Sequence, residues 1–173
     1  MVLTTHAVVG GALAAFAHAG PAPAFALGFL SHFLLDAIPH WDYFHLMKSF
    51  ESNGAGKLGF SVKLSKSLMR DILFILTDIS LGLILVFLFF LRRGFDYEFS
   101  SLITDPVIWG ALGAMFPDFL QLVYSKFPRE PFKSLQKFAE FIHADPTKMQ
   151  PFFLGFTSQV VLMAFVIYLA LKF

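Results

Sequence analysis

The chain has 173 residues and a formal net charge of +1, and 57% of its residues are hydrophobic, including 24 phenylalanines. Its mean hydropathy of +0.69 is more than a soluble core requires, so an ordinary soluble domain is excluded. The near-neutral charge excludes a basic face for nucleic acid, and the absence of cysteine excludes disulfides, thiolate zinc sites and a cysteine nucleophile. Any metal would need nitrogen and oxygen ligands.

Five apolar segments predict a single all-α domain over residues 1–173, a polytopic membrane helix bundle with about five membrane-embedded helices. The segments are 2–17, 22–38, 68–91, 106–124 and 151–171. A full crossing takes about 20 residues, so the last three are long enough to span. The first two are short and are joined by Gly20-Pro21-Ala22-Pro23. They are therefore expected to form either a tight pair of tilted spans or a re-entrant hairpin packed within the protein. The small residues of the first segment predict a helix packed against its neighbours.

The polar stretches between these segments predict two further features. Residues 48–66 contain Asn53-Gly54-Ala55-Gly56 and indicate a flexible loop, whereas apolar residues at helical spacing over 131–143 predict an amphipathic helix on the membrane surface. If all five segments cross, ten of the 13 Lys and Arg residues lie on the side of the N-terminus and three on the other. This bias predicts a cytoplasmic (inner) membrane protein with a cytoplasmic N-terminus.

The most informative motif is SHFLLDAIPHWDY, residues 31–43. His32 and Asp36 are four positions apart and therefore share one helix face, and His40 would follow on that face until Pro39 ends the helix. Imidazole and carboxylate groups that converge in this way can bind a divalent metal, although a hydrogen-bonded pair between helices would use the same spacing. Asp42 either joins this site or caps the next turn.

Further ionisable residues of the apolar segments fall on the same side of the predicted topology, the cytoplasmic one. They are His6 in the first segment, Asp78 in the third, Asp118 in the fourth and His143 at the end of the surface helix. A carboxylate at membrane depth costs about 2.5 to 3.5 kcal/mol unless it is paired or coordinated. Local Ser, Thr or backbone donors offer a simpler way to satisfy a lone Asp. Gln159, on the last segment, is expected to bond either a ligand carboxylate or another helix.

A weak internal repeat relates these residues in pairs. Thr5-His6 followed by Gly10 is similar to Thr77-Asp78 followed by Gly82, and Pro39-His40 corresponds to Pro117-Asp118. Two helical hairpins related in this way would present ligands to a shared centre. Chance similarity between apolar helices is the alternative explanation.

The same motifs resemble those of the membrane-bound metal-dependent hydrolase-like proteins, a family distantly similar to the helical zinc-dependent phospholipases C. The resemblance is carried by Thr5-His6 with Gly10, His32-x-x-x-Asp36, Pro39-His40-Trp41-Asp42 and Pro117-Asp118. It implies a metal site and a hydrolase activity. The chain departs from the family pattern at His40, where Asp is usual, and it lacks a His-Arg-Gly-x-Thr-His element, for which the segment ending at His143 could substitute.

The sequence thus predicts an integral membrane metal-dependent hydrolase that acts on a phosphoester of a lipid or amphiphile at the cytoplasmic leaflet. One or two divalent ions, with zinc expected, would be bound by His6, His32, Asp36, Asp78 and Asp118. His40, Asp42 and His143 would complete the shell or act as acid and base. Two alternatives are a non-catalytic scaffold with a structural metal or polar site and a small cation or proton transporter, which would require a polar path across the bilayer.

Overall fold

The computed structural model describes residues 1–43, 46–47, 50–52, 60–62, 66–91, 99–144 and 151–172. The helices are α1 (Leu3–Ala17), α2 (Pro21–Asp36), α3 (Lys66–Val86, continued by a π-helical turn at Phe87–Leu91), α4 (Phe99–Thr104), α5 (Pro106–Lys126), α6 (Phe132–Ile142) and α7 (Phe152–Lys172). The predicted helical architecture is confirmed, with one short strand pair as an addition. Two three-residue strands, β1 (Phe50–Ser52) and β2 (Phe60–Val62), pair antiparallel near the ends of the predicted loop, whose Asn53–Gly56 centre lies outside the described residues.

Three helices of the described part are long and apolar enough to cross a membrane. They cover Ser67–Leu91, Pro106–Tyr124 and Phe152–Lys172 and coincide with the three segments predicted to span. α1 and α2 have only 15 and 16 residues. At about 1.5 Å per residue they are about 22 to 24 Å long, which is less than the roughly 30 Å hydrocarbon core. The structure therefore supports membrane association, but it does not confirm about five crossings.

α1 lies at the centre of the bundle. It packs against α2, α3, α5 and α7, and 11 of its 15 residues are buried. Leu3, Ala7 and Val8 form the main apolar core together with Val86 of α3 and Ala111 of α5. The prediction of a packed first helix is confirmed, and this central position carries His6 into the interior.

Glycines allow α1 and α2 to approach α5 closely. A Cβ atom at Gly10 would overlap the carbonyl oxygen of Gly110, and one at Gly110 would overlap the carbonyl oxygen of Gly10. Gly28 of α2 faces the same Gly110 carbonyl, and Gly113 faces the carbonyl of Phe25. Such contacts between backbones need residues without a side chain. They hold three helices together just beside the ionisable cluster.

Gly110→Val is expected to destabilise the bundle by about 3 kcal/mol or more, because the added side chain must displace the backbone of α1 or α2. Thermal unfolding of the purified protein in detergent measures this loss. Gly20→Ala is the matched control, since no atom lies within 4 Å of a Cβ at that position. Equal melting temperatures for the two variants would contradict the close packing.

Pro39 and Pro117, which the repeat places at equivalent positions, have different roles in the structure. α2 ends at Asp36, three residues before Pro39, as the sequence predicts. α5 instead continues through the buried Pro117 to Lys126. Asp118 therefore projects from the middle of a helix, whereas His40 lies in the irregular segment after α2. This difference brings the two residues to the cluster from separate elements.

α6 confirms the amphipathic helix predicted over 131–143. Its buried residues are Gln136 and Ala139, and the Phe138 ring packs edge-to-face on Phe33 of α2 with a centroid distance of 5.1 Å. Phe141 is 87% exposed on the other side. α6 therefore packs on α2 and α5 and delivers the residue that follows it, His143, to the end of α2.

Candidate metal centre

Asp36, the last residue of α2, is the centre of the site. Its side chain is only 9% exposed and is surrounded by nitrogen atoms from three other parts of the chain. Oδ1 lies 2.6 Å from the amino nitrogen of Met1, 3.2 Å from Nε2 of His6 and 3.8 Å from Nε2 of His40. Oδ2 lies 3.1 Å from Nε2 of His32, one helical turn away. The predicted His32–Asp36 pair therefore forms.

His32 is held in one orientation by α5. It is 1% exposed, and its Nδ1 lies 2.8 Å from the carbonyl oxygen of Ala114. A carbonyl only accepts, so Nδ1 is the donor and Nε2 of the neutral ring keeps its lone pair. Nε2 lies 3.1 Å from Oδ2 of Asp36 and 3.8 Å from Oδ1 of Asp118. Because a lone pair and a carboxylate oxygen are both acceptors, this close contact requires a shared proton or a bound cation between them. A backbone carbonyl that fixes the tautomer in this way is typical of metal-binding histidines.

His40 and His143 use the same arrangement. Nδ1 of His40 lies 2.8 Å from the carbonyl oxygen of Ile38, and Nδ1 of His143 lies 2.8 Å from that of Ala144. The centroids of the two imidazole rings are 5.1 Å apart. The segment after α6 is joined to the end of α2 by a hydrogen bond from the Ala144 N–H to the Asp36 carbonyl oxygen at 2.8 Å. Burial lowers the pKa of the His143 imidazole. In the neutral forms of His32, His40 and His143, the proton is therefore on Nδ1 and Nε2 carries the lone pair that can bind a metal.

His6 has buried polar atoms without partners. Its ring is 0% exposed and stacks on His32 at a centroid distance of 4.2 Å. Neither ring nitrogen makes a hydrogen bond within the described chain, although Nε2 is close to Asp36, and Oδ2 of Asp118 is unpartnered as well. Unsatisfied buried nitrogen and carboxylate atoms are costly, and a cation would satisfy one ring nitrogen of His6 together with the Asp118 oxygen.

The residues converge in two overlapping groups that could each hold a metal ion. One consists of His6, His32 and Asp36, and the other of Asp36, His40 and His143. Within each group the ligand atoms all lie within 4.8 Å of one another. Imidazole nitrogens and carboxylate oxygens suit zinc and related divalent ions. Asp36 belongs to both groups, so the donor set fits one ion or a carboxylate-bridged pair.

Of the remaining predicted residues, Asp118 and Asp42 border the groups. Asp118 approaches His32 from α5, and Oδ2 of Asp42 lies 3.7 Å from Nε2 of His40. Both side chains are largely buried, with 16% and 14% exposure. The structure therefore places one further carboxylate beside a histidine of each group, Asp118 beside His32 and Asp42 beside His40.

Asp78 is not brought into either group. Its Oδ2 accepts from the Leu3 N–H at 2.7 Å and its Oδ1 from the Thr4 N–H at 3.0 Å, so α3 caps the first turn of α1. The Thr4 and Tyr43 hydroxyls also donate to it, at 2.5 and 2.7 Å. Burial and the Asp78 charge raise the pKa of Tyr43, which keeps this phenol a donor. These contacts give Asp78 a structural role, in line with the alternative that hydroxyl and backbone donors satisfy a lone Asp.

Gln159 joins helices and does not bond a candidate ligand carboxylate. Its Oε1 accepts from the Val2 N–H at 3.1 Å and from the Thr5 hydroxyl at 3.2 Å. Its Nε2 donates to the Trp41 carbonyl at 2.8 Å and to the Gly155 carbonyl at 3.1 Å. The simpler of the two sequence expectations is therefore the one the structure favours.

Gln159→Leu is expected to cost about 2 to 4 kcal/mol of stability, because buried groups of Val2, Thr5 and Trp41 lose their partner. Chemical or thermal unfolding in detergent measures the change. Ser158→Ala is the matched control, since within the described residues the Ser158 hydroxyl donates to the Gly155 carbonyl of its own helix and bonds no other helix. A Gln159→Leu protein as stable as Ser158→Ala would contradict the interpretation.

Sequence reasoning missed the groups that orient the ligands, namely the carbonyls of Ile38, Ala114 and Ala144. Backbone carbonyls leave no signal in a sequence. Comparisons of the chain with family models, curated proteins and solved structures gave no match. The family resemblance of the motifs thus stays a prediction, and the functional argument depends on the geometry of the site.

Proposed function

We propose that this protein is an integral membrane hydrolase that uses one or two divalent ions, with zinc the expected metal, to cleave a phosphoester of a lipid or amphiphile. His6, His32, Asp36 and Asp118 are the proposed ligands. His40, Asp42 and His143 complete the shell or transfer protons. Asp78, expected from the sequence to be a ligand, is assigned here to the cap of α1.

One observation carries the proposal. Three histidines from different parts of the chain each bond a backbone carbonyl through Nδ1, and two of them, His32 and His40, turn Nε2 toward the buried Asp36. Metal ligation requires an Nε2 lone pair that points into the site, and this shared orientation provides one. A bound ion would replace the contacts that Nε2 of His32 makes with Asp36 at 3.1 Å and that Nε2 of His40 makes with the amino nitrogen of Met1 at 2.8 Å. The unpartnered atoms of His6 and Asp118 support the same conclusion.

A divalent ion bound by these residues would supply Lewis-acid polarisation of a phosphoryl oxygen and a water molecule of lowered pKa. Hydrolysis also needs a base that takes a proton from the attacking water and an acid that delivers one to the leaving oxygen. Nε2 of His40 and Nε2 of His143 are the proposed positions for these protons. Asp42, 3.7 Å from His40, would stabilise the protonated ring.

The membrane location suggests the kind of substrate. Three helices of the described residues are long and apolar enough to cross a bilayer, and one of them, α5, provides Asp118. A site bordered by such a helix is reached more readily by an amphiphile in the membrane than by a water-soluble metabolite. The uneven distribution of Lys and Arg along the chain favours a cytoplasmic N-terminus and a site at the cytoplasmic leaflet.

The zinc-loaded protein, reconstituted with a panel of phospholipids and isoprenoid phosphates, is expected to hydrolyse at least one phosphoester, and EDTA is expected to stop the reaction. His143→Ala should lower kcat by about 10² to 10⁴-fold, the usual contribution of a general acid or base. His18→Ala, an exposed histidine outside the cluster, is the matched control and should retain activity. A metal-loaded protein that turns over no member of the panel would favour the scaffold alternative.

A further inference from the structure

A groove runs between α3 and α5 beside the candidate metal centre. Its volume is about 390 Å³, within the range of ligand-binding pockets. Ile75 and Ile79 of α3 form one wall, and Leu112 and Phe119 of α5 form part of the other. Phe25 of α2 and Leu3 of α1 also contribute, so four helices meet around this space.

The groove opens outward along helices that are able to span a membrane. Leu112, Phe116 and Phe119 line it and are 38%, 36% and 55% exposed. All three lie within the candidate span Pro106–Tyr124, and the facing isoleucines lie within Ser67–Leu91. In a bilayer the opening would therefore face hydrocarbon, and the medium that surrounds it would consist of lipid chains.

One end of the groove is polar and belongs to the candidate metal centre. Among the described residues that line it, the polar side chains are Asp118 and Gln121, about one helical turn apart on α5, and Trp109, whose N–H donates to the Ile103 carbonyl. Asp118 lies 3.8 Å from His32, and its Oδ2 is buried without a partner in the described chain. The same carboxylate thus borders both the apolar groove and the histidine cluster.

We propose that this groove binds one hydrocarbon chain of a membrane phospholipid and so directs the phosphate headgroup to the cluster at Asp118. The proposal rests on the proposed hydrolase function and specifies its substrate as a lipid that enters sideways from the bilayer. The apolar lining matches a hydrocarbon chain, and the metal charge beyond Asp118 matches an anionic headgroup. A long-chain phosphoester would then bind better than the same headgroup without its chain.

The test uses the full-length protein in phosphatidylcholine nanodiscs that contain phosphatidic acid with a diazirine on one acyl chain. Photolabelled residues are identified by mass spectrometry, and labelling is expected to concentrate on the α3 and α5 residues of the groove. Leu112→Trp fills the groove and should lower this labelling about tenfold, whereas Leu112→Ala should retain it. Leu154→Trp, on the exposed surface of α7 and outside the groove, is the matched control.

Groove labelling that survives in Leu112→Trp would overturn the proposal, and so would its loss in both Leu112 variants, because then the groove volume would not decide binding. Labelling spread evenly over the exposed faces of α3, α5 and α7 would also overturn it, since it would indicate ordinary surrounding lipid. The metal content of each sample separates the two proposals. Metal-loaded protein without groove labelling contradicts only the groove, whereas protein that binds no zinc contradicts the hydrolase function itself.

Discussion

Asp36→Asn is expected to abolish zinc binding and to leave the helix bundle folded. Asp36 is the one residue shared by both candidate groups, so the substitution removes a charged ligand from each while it preserves the shape of the side chain. Changes to groups that merely orient ligands cost about 10 to 100-fold in metal affinity, so the loss here should exceed about 100-fold. Circular dichroism should still show the helical content of the wild type.

Zinc-dependent thermal stability measures this loss. A ligand that binds only the folded state stabilises it by about 2.7 kcal/mol at 100 times its Kd, so the melting temperature of the wild type should rise with added zinc. Asp36→Asn should show no such rise. Asp105→Asn is the matched control, because Asp105 caps α5 away from the cluster and asparagine is also a good cap. A full zinc response in Asp36→Asn would contradict the shared role of this carboxylate.

Asp78→Ala is expected to have the opposite effect, a large loss of stability. The Asp78 carboxylate accepts hydrogen bonds from the Leu3 and Thr4 N–H groups at the start of α1 and from the Tyr43 hydroxyl, and alanine would leave these three donors without that acceptor. The Thr4 hydroxyl would keep the backbone carbonyl of residue 78. Loss of a helix cap costs about 1 kcal/mol, and each unsatisfied buried donor costs about 1 to 3 kcal/mol. The free energy of unfolding should fall by about 3 kcal/mol or more, as measured by denaturation in detergent.

Asp78→Asn separates the structural role from the ligand role predicted by sequence. Asparagine keeps one acceptor oxygen, so stability should lie between those of the wild type and Asp78→Ala. The folded Asp78→Asn protein should bind as much zinc as the wild type. If it were fully stable but free of zinc, Asp78 would be a ligand and the capping interpretation would be wrong.

The helices of this protein are largely readable from its sequence. Apolar runs and prolines place α2, α5 and α7 to within about two residues, and the spacing of His32 and Asp36 correctly predicts that they share a face. Hydropathy alone does not distinguish a helix that spans the membrane from one that is buried at the centre of the bundle. α1 is apolar because four other helices enclose it, and its length of 15 residues indicates better than its hydropathy that it need not cross the membrane.

The site itself was only partly predictable. Residue type and position along the helices correctly suggested that His6, His32, Asp36 and His143 would meet. The sequence left Asp78 open between a metal ligand and a carboxylate satisfied by hydroxyl or backbone donors, and it could not identify the donors, which are N–H groups at the start of α1 and a tyrosine from the segment after α2. A buried carboxylate satisfied by backbone donors and one that ligates a metal have the same sequence pattern, and only the position of the partners separates them.

The central claim is that the histidine and aspartate cluster binds a divalent metal, and elemental analysis of the detergent-purified protein tests it most directly. The wild type and His18→Ala, each exposed to zinc and then freed of loosely bound ions, should retain one or two equivalents. The His32→Ala, Asp36→Ala double variant should retain almost none. Equal metal content in the wild type and the double variant, whether high or low, would contradict the claim.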